Sequence, residues 1–166
     1  MGTSRSRTAG KTRAPSSRAG TEQRGPLWVA RACIVLVLAV NLQCAVAFVV
    51  SPHAYAGSFQ LTGLEGATMV RSMGLLFLMW NVPYVVAAWH PWRHRASLLE
   101  AAVMQAIGLV GEALMLLALP PVGYEALRAT GERFVRFDAA GLLLLLLALS
   151  CVARRQGAAR LYTSRK

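Results

Sequence analysis

Four stretches of this chain carry almost no charge. Leu27–Val50 runs LWVARACIVLVLAVNLQCAVAFVV, 24 residues or about 36 Å of helix, enough to cross a bilayer. Ala67–Trp89 and Ser97–Leu119 follow at similar length. The fourth, Asp138–Ala153, is shorter, about 24 Å as helix, but it contains an unbroken run of six leucines. Isolated strands would leave backbone groups unpaired in lipid, so helices are the predicted spanning form. The pattern predicts an all-α fold, a bundle of four transmembrane helices. Before the fourth run, Tyr124, Leu127, Phe134 and Phe137 recur at near-helical spacing among charges. This stretch reads as a short interfacial helix after Pro120-Pro121 or as a solvated loop.

Composition agrees with the pattern. Of 166 residues 55% are hydrophobic, 15% are charged and mean hydropathy is +0.45. An ordinary soluble domain has about a quarter of its residues charged. The net charge of +11 would suggest nucleic acid if it covered a folded surface. Here it lies in tails and short loops beside apolar runs, which excludes a DNA-binding domain and predicts no nucleic-acid partner.

Residues 1–26 hold six basic residues, one acid (Glu22) and no aromatic. Too little apolar area is available there to offset chain entropy, so a disordered basic arm is expected. A basic tail, 154–166, carries five more Lys or Arg. The loop Ser51–Gly66 has neither, whereas His90–Ser97 has two. Pro120–Phe137 has three, set against Glu125 and Glu132. This asymmetry predicts both termini in the cytoplasm, with anionic lipid headgroups as partners at that face. Trp28, Trp89 and Trp92 fall at the same boundary.

Processing signals offer other parsings. Met1-Gly2 with Ser6 loosely matches a myristoylation site, and the Arg- and Ser-rich start resembles a transit peptide. The abundance of Ala, Arg, Gly and Leu instead suggests a GC-rich bacterium and an inner-membrane location. Ala54-Tyr55-Ala56 fits a small-x-small cleavage site, but signal-peptide cores run about 7–15 residues and the first run exceeds this. Retention of helix one is expected.

Thiols and imidazoles offer no metal or redox signature. Cys33, Cys44 and Cys151 lie inside predicted helices without a CxxC pair. Cys33 and Cys44 share a face but stand about 16 Å apart, so packing is the expected role. His90 and His94 flank Pro91 in a short basic loop and read as interface residues. No metal site and no cofactor is predicted.

The informative residues are polar groups at membrane depth. Asn41 lies in helix one; Arg71, Asn81 and Tyr84 lie in helix two around Pro83; Glu100, Gln105 and Glu112 lie in helix three. Antiparallel packing puts Arg71 and Glu112 at similar depth, and charges there are costly unless paired or hydrated, so an Arg71–Glu112 pair is predicted. Gln105 and Glu112 share a helix face with Gly108 between them. Gly108 and Gly111 permit close approach of a neighbour. Asn41, Arg71, Asn81, Gln105 and Glu112 thus form one polar seam. It reads either as structural glue or as a proton or small-ligand site with Glu112 titrating.

The four-span plan resembles small DoxX-like membrane proteins, through the arginine that opens RSMGLLFLMWNVPY and the short basic turn before helix three. The resemblance covers residues 27–153 in outline. It implies a four-helix bundle, some members of that group being associated with quinone-linked redox complexes, and it carries over no catalytic residue. With no nucleophile–base pair, metal cluster or phosphate loop in view, a non-catalytic accessory or scaffold subunit is the leading expectation, with a membrane-protein partner or a homo-oligomer. The alternatives are a small oligomeric proton-coupled carrier using Glu112 and a quinone-linked redox subunit.

Overall fold

In a computed structural model, backbone is described for residues 25–163 and side chains for 27–154; the expected basic arm and the end of the tail lie outside these. All described elements are helical. Helix α1 spans Gly25–Val50, α2 Pro52–Ala56, α3 Gly63–Trp80, α4 Val82–Trp89, α5 Arg95–Ala118 and α6 Glu125–Thr163, with a 3-10 turn at Gly57–Phe59. Four helical segments are long and apolar enough to cross a membrane: Leu27–Val50, Gly63–Trp89, Arg95–Ala118 and Glu125–Arg154. The chain is a multi-pass, all-helical membrane protein.

Pro83 breaks the second span where its place in the sequence implies, and the fourth span starts earlier than expected. The second span is broken at Asn81, because Pro83 has no N–H to continue the ladder and its ring crowds the preceding turn. It therefore consists of α3 and α4. The fourth span begins at Glu125, 13 residues before Asp138, and continues without interruption to Thr163. The charged segment before the leucine run is helical because one face of it is apolar. Phe134 on that face joins Phe48, Phe59 and Phe77 in a cluster of rings with centroids 5.7–6.5 Å apart.

The interior falls into two halves. Towards the His90–His94 turn, Ala30, Ile34, Val37, Ala87, Leu98, Ala101, Leu145, Ala148 and Val152 form a dense core of mostly small side chains. Small residues let helix backbones approach closely, the usual source of cohesion where lipid removes the hydrophobic drive. At the opposite end Phe48, Ala56 and Val70 form a second core, flanked by Phe59, Met73, Phe77 and Phe134. The break at Asn81 separates the partners of the second span. Helix α4 packs on α1 and α5, whereas α3 packs on α1 and α2 and scarcely meets α5. A space opens where α3 leaves α5.

The connections at the far end are tied down. Gln60, in a left-handed conformation at φ 55°, donates from Nε2 to the Gly123 carbonyl at 2.9 Å. Thr130 Oγ1 donates to the Ser58 carbonyl at 2.9 Å. Arg128 donates to the carbonyls of Leu119 and Pro120, at 3.2 and 3.0 Å, meeting acceptors that the end of α5 cannot satisfy internally.

Candidate functional site

Where the two cores meet, all four spans line one cavity of about 440 Å³. From α1 come Asn41 and Cys44; from the second span come Phe77, Trp80 and Asn81. Helix α5 contributes Gln105, Gly108 and Glu112, and α6 contributes Arg133, Phe134, Phe137 and Asp138. Its size falls within the range typical of small-molecule sites, about 300–1,000 Å³. A second, mainly apolar cavity of about 400 Å³ extends towards the Leu119 end and shares Glu112 and Phe134 with the first.

A directed hydrogen-bond chain crosses the bundle beside this space. The hydroxyl of Tyr84, fully buried, lies 2.5 Å from Gln105 Oε1 and 3.1 Å from the Ala101 carbonyl. Gln105 Nε2 donates onward to Asp138 Oδ1 at 2.7 Å. A carboxylate accepts only, so the Gln105 amide has a single orientation, with nitrogen towards Asp138 and oxygen towards Tyr84. The chain depends on two glycines. A Cβ on Gly141 would stand 2.9 Å from Gln105 Nε2, and one on Gly108 would stand 2.8 Å from Asp138 Oδ2.

Asn81 has a different arrangement. Its Nδ2 donates to the Phe77 carbonyl at 2.6 Å, and turning the amide over would press two acceptors together. Oδ1 therefore points away from that carbonyl, and it has no hydrogen-bond partner although the residue is 2% exposed. An unsatisfied buried acceptor of this kind costs about 1–3 kcal/mol. Asn81 sits where Pro83 breaks the helix, so the kink that opens the cavity also places this amide on its wall.

Four of the five residues of the expected seam, Asn41, Asn81, Gln105 and Glu112, come together around the cavity. Arg71 does not. Its Nε donates to the Val49 carbonyl at 3.3 Å, on an exposed edge. Val49 lies in the last turn of α1, whose carbonyls have no partner within the helix and whose dipole end favours a cation. The expected Arg71–Glu112 pair is thus absent: the described ion pair within 4.0 Å is Arg136–Glu132, on the surface of α6. Arg71 closes the end of α1. Of the two glycines expected at a helix contact, Gly108 meets Asp138 and Gly111 meets nothing within 4 Å.

Asp138 is a site residue that the sequence does not mark as one, because the uncharged run of the fourth span begins at it and hydropathy alone puts it at the membrane boundary. With α6 beginning at Glu125, Asp138 lies about 20 Å along the helix. The signal was an apolar stripe at spacings of three and four, Leu127, Thr130, Phe134, Phe137, Gly141, Leu145, Ala148 and Val152, which carries the helix through the charged segment. Cys33, Cys44 and Cys151 are free thiols, and no group of three His, Cys, Asp or Glu among the described residues is placed to hold a metal ion.

Comparison with protein-family models, with curated proteins and with solved structures finds no match.

Proposed function

We propose that this protein is a non-catalytic, multi-pass binding protein of the bacterial inner membrane, with both termini in the cytoplasm, that takes a small molecule with an apolar body and a polar group into the centre of its bundle. The carrying observation is that one cavity is lined from all four spans by aromatic side chains together with Asn81, Gln105, Glu112 and Asp138. Packing glue needs neither a void nor an unsatisfied acceptor, and each of these has a cost that a ligand would offset. The orientation rests on the concentration of Lys and Arg at the termini and the His90–Ser97 turn.

The test uses 1-aminoanthracene, a neutral arene that fluoresces when desolvated, titrated into the full-length protein in lipid nanodiscs with empty nanodiscs as baseline. A saturable, one-to-one signal is expected, weakened at least tenfold by Met104→Trp, which fills the cavity from α5. A purely structural accessory role predicts no saturable component. A signal unchanged by both Met104→Trp and Cys44→Phe would place the probe elsewhere and end the proposal.

A further inference from the structure

We infer that the polar group read by this cavity is an organic ammonium, so that the ligand is a lipophilic amine; the inference rests on the binding role proposed above and names its ligand class. Two carboxylates on the wall, those of Asp138 and Glu112, lack a full set of donors. Asn81 Oδ1 is buried and unpartnered, in an orientation fixed by the Phe77 carbonyl. Asp138 receives the Gln105 amide through Oδ1; its second oxygen has no donor among the described residues. The Glu112 carboxylate lines both cavities and forms no ion pair within 4.0 Å among those residues.

The charge count agrees. Two carboxylates face the cavity against one guanidinium, that of Arg133, which donates to Thr130 Oγ1 at 3.0 Å and so is held towards the start of α6. With both carboxyls ionised one negative charge is left over in a low-dielectric space, a cost that a proton or an entering counter-ion relieves. An ammonium supplies the charge and up to three N–H donors. The walls accept the rest of such a molecule: Phe77, Trp80, Phe134 and Phe137 present rings to it, and aromatic faces attract cations. A carboxylate ligand would meet like charge, and a neutral carbonyl compound would bring no charge to balance the carboxylates.

The experiment displaces 1-aminoanthracene with three molecules of nearly equal shape: 4-phenylbutylamine, 4-phenylbutanol and 4-phenylbutyrate. Expected is displacement by the amine at concentrations at least tenfold below the alcohol, with the carboxylate weakest. Asp138→Asn keeps an acceptor for Gln105 and removes the charge; it should reduce the amine's advantage to threefold or less while leaving the alcohol unchanged. Glu112→Gln, at a residue without a hydrogen bond to lose, is the second variant should Asp138→Asn melt early. Equal displacement by amine and alcohol, preference for the carboxylate, or an amine advantage that survives both substitutions overturns the inference while the binding role stands. Absence of any saturable probe site overturns both.

Discussion

The two halves of this bundle solve the problem of cohesion in lipid by different means. Around Tyr84, Ala101 and Leu145 small side chains let four helices close on one another, and the Tyr84 hydroxyl at the centre is satisfied. Beyond Asn81 α1 and α3 still approach closely at Gly74, but α3 stands away from α5, and this half is held by rings, by ties between connections such as Thr130 to Ser58, and by Arg71 at the end of α1. The first half gains from contact and cannot yield volume. The second keeps its shape at the edges and leaves the middle open. The cavity lies where the two cores meet, with small, closely packed side chains on one side and rings on the other.

The sharpest way to break this comparison is to remove volume from the dense half. Leu145→Ala should destabilise the protein by about 2–4 kcal/mol, read by reversible unfolding in mixed detergent micelles. A loss below 1 kcal/mol would mean the two halves are packed alike. Gln105→Leu comes next. It strips the acceptor from Tyr84 and the donor from Asp138 at once, with an expected loss of about 1–3 kcal/mol in the same assay. Tyr84→Phe should cost less than Gln105→Leu, since it orphans one group.

Arg71→Ala is expected to cost at most about 1 kcal/mol, in keeping with an exposed interaction at a helix end. Combined with Glu112→Gln it should be additive within about 0.5 kcal/mol. Coupling above that limit would show that the two residues meet after all. The smallest effect belongs to the cavity itself. Cys44→Leu adds volume where there is space for it, and the unfolding free energy should move by no more than about 0.5 kcal/mol; placing a leucine in the dense half, Ala101→Leu, should cost about 1–3 kcal/mol.

What was readable in the sequence follows from how strong each local signal is. Four apolar runs between polar segments set the number of spans. The i, i+7 spacing of Gln105 and Glu112 put both on one face, and Pro83 marked the break beside Asn81. Two features could not be read from depth alone. Arg71 was paired with Glu112 because both are charges in the same half of the membrane, but depth leaves the rotation of a helix about its axis unspecified, and a helix-end carbonyl closer by took the guanidinium. Asp138 was assigned to a boundary because charges such as Glu132, Arg133 and Arg136 outweigh a one-sided apolar stripe in any average along the chain. Hydropathy is summed over all faces, whereas a helix is stabilised by the face it buries.

The unbroken course of α6 has a mechanical consequence. From Asp138 on the cavity wall to Thr163 the helix runs about 38 Å without a joint, and no proline or break interrupts it. Such a rod behaves as a lever with its load point inside the bundle. A tilt of about 10° pivoting at Asp138 would carry the far end through about 6–7 Å, several times the movement at the cavity. A ligand that tilted α6 at the centre would therefore shift its far end directly, without any relay of side chains along the way.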